Sequence, residues 1–301
     1  MQPPGGEGQP PEGMQPGQPP QGGGFGTVET GTGAYVLSDG ETLSGGSYTS
    51  TNDDENVIRA EGDITATLED VSVEKVGGSG SNSDASSFYG LNAAILALDG
   101  ATLTINGGTV TATTEGSNGV FAYGGATIYI TDTEINVTGG NAGGIEVAGG
   151  GNLYATNLTI NASVKAAIRS DRGGGILVVD GGTYTTSGSS GAPAIYSTAD
   201  ITVSNAILVA NDSEAVVVEG LNSVTIIDSD VTGNMRGDGD TNVQNVMLYQ
   251  SMSGDAQEGT SVFTMTGGTL TSLNGDMFYI TNTDSIINLS DVELTLADDT
   301  Y

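Results

Sequence analysis

The stretch AAILALDGATLTINGGTVTA, residues 93–112, decides the fold. It reads as three short strands: AAILAL, ATLTI and GTVTA. Within each run apolar and polar residues alternate, the period of a half-buried strand. The end of this stretch carries a six-residue signature, INGGTV: apolar, any, Gly/Asp/Asn, any, any, apolar.

The signature recurs along the chain. It appears as LSGGSY, LEDVSV, INGGTV, ITDTEI, ATNLTI, VDGGTY, VSNAIL, IIDSDV, MTGGTL and LSDVEL, starting at Leu43, Leu68, Ile105, Ile130, Ala155, Val179, Val203, Ile226, Met265 and Leu289. The steps are 25, 37, 25, 25, 24, 24, 23, 39 and 24 residues. Repeats of this length, each with three strands, stack into a solenoid with like strands about 4.8 Å apart. Ten coils predict a rod roughly 48 Å long. The third signature position is Gly, Asp or Asn in all ten units, the residues that best tolerate left-handed backbone. The column therefore predicts a tight corner between the second and third strands. The first unit carries Glu41 where the inward pattern asks for an apolar residue, which suits a cap.

The composition agrees with an all-β chain. Gly occurs 49 times, and Cys, His and Trp are absent. Without Cys or His there is no disulfide, no usual zinc site, no Ser-His-Asp triad and no thiolate nucleophile. Any metal would be a hard cation held by oxygen. Six Lys and Arg stand against 37 Asp and Glu, a net charge of −31. That charge argues against a nucleic-acid partner and suits a secreted or surface protein; it also serves solubility alone. No run of 18 apolar residues suggests membrane insertion. The first 26 residues hold seven of the eight prolines, nine Gly and five Gln. Residues 1–33 are thus expected to be a disordered linker and 34–301 the solenoid domain. Such a spacer suits a cell-surface location, with an export signal or anchor removed and further domains of a larger native chain as partners.

A short left-handed corner between strands two and three resembles the right-handed parallel β-helix of the pectate-lyase superfamily. That family calls the corner T2, and its polysaccharide cleft lies on the outer face of the first strand, the one following corner T3. The Pro/Gly spacer together with SSFYGLNAA (86–94), AAIRSDRGGG (166–175) and NVMLYQSMSGD (245–255) is similar to non-catalytic, surface-attached β-helix proteins of Gram-positive bacteria. Those bind plant or acidic polysaccharides, some with calcium. The two enlarged steps are expected in T3, at residues 77–92 and 233–245.

Three of the six cations, Lys165, Arg169 and Arg172, fall within eight residues. Register from the signature puts Phe121, Glu146, Arg169 and Tyr196 in one outward file on the first-strand face. Tyr123, Asp171 and Glu219 fall in a second file, with Tyr249 in the same strip and Arg172 at corner T1. Only this face mixes aromatics with charge, the combination that stacks on sugar rings and grips their carboxylates. Phe121, Tyr123, Glu146, Arg169, Asp171, Arg172, Tyr196, Glu219 and Tyr249 are the candidate carbohydrate-binding residues. A ladder in which Arg169 only pairs with Glu146 and Asp171 is the alternative. Lys165, in T3, is expected to be solvated.

The run DGDTN spaces Asp238, Asp240 and Asn242 at alternate positions, as calcium loops begin; an Asx-rich turn reads the same way. Asn82 and Asp84 are weaker calcium candidates. These features lead to an extracellular or cell-surface carbohydrate-binding module, ligand an acidic or plant polysaccharide. A calcium-dependent polysaccharide lyase and a passive structural stalk are the alternatives. No catalytic residue is assigned.

Overall fold

The structure, a computed structural model, describes residues 28–189, 191–237, 242–251 and 253–296. Most of the expected linker lies outside the described residues. The first strand, Thr32–Val36, opens two residues ahead of the expected domain start.

The chain winds into a parallel β-solenoid of ten coils. The first strands form one ten-stranded ladder from Thr32–Val36 through Asp276–Thr281. The second and third strands merge into one bent sheet, because Gly151–Ala162 and Gly175–Thr186 run through the T2 corner unbroken. All ten third signature residues have positive φ, from 46° at Asp228 to 72° at Gly181. A lone left-handed Asp or Asn turns the strand in six coils, and in the other four a Gly-Gly pair with both φ positive does so, at Gly45–Gly46, Gly107–Gly108, Gly181–Gly182 and Gly267–Gly268.

Inward columns fill the interior. Ile58, Ile95, Val120, Ile145 and Ile168 pair coil to coil and have no exposed surface. Burial of such branched side chains, each worth about 1.5–3 kcal/mol, drives the winding. The ends differ. At the N-terminal end Tyr35 donates its hydroxyl to Glu41 and packs edge-on against Tyr48 at 5.2 Å. Lys75 occupies an inward position next to this end. Its Nζ donates to Ser50 Oγ at 3.2 Å and to the Asn52 carbonyl at 2.5 Å, and burial lowers its pKa. The rings of Tyr35 and Tyr48 pack against the apolar core at this end. In the last coil Leu289, Leu294 and Leu296 are 39–50% exposed.

The first enlarged step does fall in T3, and it folds into a helix, Ser83–Tyr89. The second step is divided, contrary to expectation. Of this step, the described residues 234–237 and 242–243 lie in T3, between the strands Asp230–Gly233 and Gln244–Tyr249. Residues 250–260 lie in T1, between the strands Gln244–Tyr249 and Ser261–Thr266. The spacing of signatures counts residues per coil and is blind to the corner that holds them.

Candidate functional site

The register expected for the first-strand face is observed. Phe121 pairs with Glu146, Glu146 with Arg169, Arg169 with Tyr196, Tyr196 with Val217 and Val217 with Met247. Glu219 stands beside Tyr249 in the second file. The file is vertical, but half of it is covered.

The helix covers it. Asn82 caps its start, accepting from the Asp84 and Ala85 amides at 3.1 and 3.2 Å, so this side chain is used in folding. Gly90 ends it at φ 75°. Side chains from the wall satisfy its carbonyls. Asn56 Nδ2 donates to Gly90, Asn118 Nδ2 to Ser86 and Asn141 Nδ2 to Ser83, at 2.9–3.0 Å. Beneath it Ala93, Leu96, Leu98, Phe121 and Ala148 form a hydrophobic cluster separate from the main core, with Tyr123 against it. Tyr89 meets Tyr123 edge-on at 5.5 Å. Phe121 has no exposed surface and so offers no platform to a sugar ring. Tyr123 is half-buried.

Next along the file, Glu146 is completely buried and neither carboxyl oxygen has a hydrogen-bond partner. Burial pushes its pKa up to about 8, opposed by Arg169, whose Nε lies 3.6 Å away. Glu146 therefore holds its proton near neutral pH, and the counter-ion of Arg169 is Asp171, 2.5 Å from Nη2. Burial raises the Asp171 pKa as well, against the pull of Arg169. Arg169 Nη1 has no partner. The ladder pairing of Arg169 is present, and it leaves one guanidinium nitrogen unused.

Beyond Glu146 the wall opens into a cavity of about 370 Å³. Arg169, Asp171, Tyr196, Val217, Met247 and Tyr249 form its floor. Lys165, Pro193 and Glu214 from T3 corners line one rim, and Asp255 from the 250–260 loop lines the other. Lys165 is half-buried here rather than solvated, its pKa lowered by burial and by Arg169. Behind the floor, Glu219 accepts from the hydroxyls of Tyr196, Tyr249 (2.9 Å) and Ser251. Burial raises both tyrosine pKa values, so the phenols remain donors.

Arg172 lies outside the cavity and joins the two excursions. Its guanidinium carbon sits 3.9 Å from the Phe88 ring centroid, and its Nε is 2.5 Å from Asp255 Oδ1. The three clustered cations thus do three jobs: Arg169 in the floor, Lys165 at the rim, Arg172 as a tie.

Of the calcium candidates, Asp238 and Asp240 lie outside the described residues, and Asn242 is exposed. Among the described residues no cluster of acidic groups is able to hold a metal ion, and no helix is long and apolar enough to cross a membrane. Val217 falls in the outward file that the sequence register gives, though not among the candidate binding residues; Met247, Glu214 and Asp255 stand outside the candidate set as well. Met247 and Val217 are apolar residues at outward positions, a signal that the register alone contains. Comparison with family models, curated proteins and solved structures finds no match to this chain.

Proposed function

We propose that the chain is a carbohydrate-binding module, secreted or held at a cell surface, whose ligand is an acidic or plant polysaccharide. One observation carries this reading: the cavity of about 370 Å³ on the first-strand face combines the aromatic side chains of Tyr196 and Tyr249 with the cations Lys165 and Arg169. Aromatic surface suits the apolar face of a sugar, and a guanidinium suits its carboxylate or hydroxyls. Kinship with pectate-lyase-like β-helix proteins is part of the proposal and rests on coil geometry, a left-handed residue at the same signature position of every T2 corner. Calcium, carried over from DGDTN, enters as an arm of the test. A glycan screen with and without calcium should give hits that weaken when Arg169 and Tyr196 become Ala. A screen without hits under both conditions rejects the reading.

Polysaccharide lyase activity is the second reading. The observation that favours it is Lys165, an amine beside Arg169 with its pKa lowered by burial, as a general base requires. Incubation with polygalacturonate should then release unsaturated products that absorb in the ultraviolet; none across several pH values rejects it.

A further inference from the structure

The cavity is closed on its N-terminal side. There the helix Ser83–Tyr89 covers the wall, and Phe121 and Glu146 beneath have no exposed surface. On the T1 side Arg172 spans from Phe88 to Asp255, closing the gap between the helix and the 250–260 loop. Toward the C-terminal coils the wall stays accessible, with Met247 and Tyr279 half-buried. A polymer threaded along the file would have to pass beneath the helix. A chain end would not.

Charge points the same way. A polymer bearing a carboxylate on every unit would leave Lys165 and Arg169 after one or two sugars. It would then meet Glu214 and Asp255 at the rims and a protein of net charge −31. A single carboxylate needs only Lys165 and the unused Nη1 of Arg169, whose Nη2 Asp171 already holds. Arg169 is 6% exposed, and Asp171 occupies its Nη2 while Nη1 has no partner. A buried guanidinium with an unused donor gains a charge-assisted hydrogen bond from one more oxygen. A volume of about 370 Å³ is at the small end for ligand sites, which run from ~300 to ~1,000 Å³.

We infer that this site, on the carbohydrate reading proposed above, takes one uronic acid at a free end or branch tip of an otherwise neutral glycan. The carboxylate lies toward Lys165 and Arg169, and the ring lies against Tyr196 and Met247.

Calorimetric titration of the whole chain tests this with four probes: neutral oligosaccharides tipped with a single glucuronate or galacturonate, the same oligosaccharides without the tip, free galacturonate, and polygalacturonate. The tipped probes should bind at least about tenfold more tightly than the untipped ones. Polygalacturonate should bind more weakly than the tipped probes, and at most one protein per chain end. Lys165→Ala should weaken tipped probes about tenfold, and Met247→Trp, which fills the cavity from an outward position, should abolish binding without shifting the unfolding midpoint. Several proteins bound per polygalacturonate chain, or equal affinity for tipped and untipped probes, overturns the single-uronate inference while the carbohydrate reading stands. No binding of any probe overturns both.

Discussion

The Arg172 guanidinium lies over the Phe88 ring at 3.9 Å, and so a coil-6 corner holds a helix inserted before coil 3. Its other contact, Asp255, belongs to a loop of coil 9. Both partners of that ion pair are partly exposed, at 27% and 22% of the side chain, so its net worth is small. Arg172→Ala should cost under about 1 kcal/mol of global stability. It should nevertheless speed proteolytic nicking and amide exchange in residues 250–260, leaving the coil ladders protected. Unchanged exchange in that loop would show that the tie does not restrain it.

Glu146 sets a pH dependence. Its pKa in the fold is about 8, above the ordinary 4.5, so the folded chain binds this proton more tightly than the unfolded chain. The stability it contributes is complete below about pH 4.5 and is lost as pH rises through about 8. Neighbouring Arg169, Asp171 and Lys165 are the charged groups that modulate it. Glu146→Gln should therefore be a few kcal/mol more stable, relative to the parent, at pH 9 than at pH 5, since each tenfold change in proton affinity is worth about 1.4 kcal/mol. Melting curves of the two proteins across pH 4–10 measure this. Parallel curves would mean that Glu146 is solvated.

Phe121→Ala should cost about 3–5 kcal/mol, the usual range for emptying a buried aromatic site. The loss falls in the cluster under the helix, not in the main core. Exchange protection of residues 83–89 should collapse first, with the inward ladders at Ile95 and Ile145 retained. Uniform loss across the coils would contradict the separation of the two clusters.

Gly90→Ala tests the seating of the helix. An added Cβ would meet Leu96 Cδ1 at 2.6 Å and Phe121 Cγ at 3.1 Å, on a backbone at φ 75°. A cost of about 1–2 kcal/mol is expected from the left-handed backbone alone, measured by denaturant unfolding, with the packing conflict added to it.

The coil pattern and the file from Glu146 to Tyr196 were legible because both are local and periodic. Each coil repeats the same signature, and a strand alternates its faces without outside help. The covering of that file was not legible. SSFYGLN is too short to show helical periodicity, and its burial depends on Asn56, Asn118 and Asn141 from three other coils. The caps of this helix, Asn82 and Gly90, are readable signals, and the oxygen that suits Asn82 to a calcium loop is the one that caps the helix. The 250–260 loop returns to coil 6 through Asp255, a residue that nothing in its own neighbourhood marks out. Long-range returns of this kind determined which candidate residues face the cavity. Arg169, Asp171, Tyr196 and Tyr249 do; Phe121, Tyr123 and Glu146 lie under or beside the helix; Glu219 sits behind the tyrosines and Arg172 outside.

Because the left-handed residue at each T2 corner recurs once per coil and nothing is inserted beside it, the phase of the winding is reset every revolution. Growth is then free at T1 and T3, where the helix and the 250–260 loop have been added without slipping a single ladder. The scaffold behaves as a spool onto which new walls are grafted from the side, one coil at a time, while the thread itself keeps count.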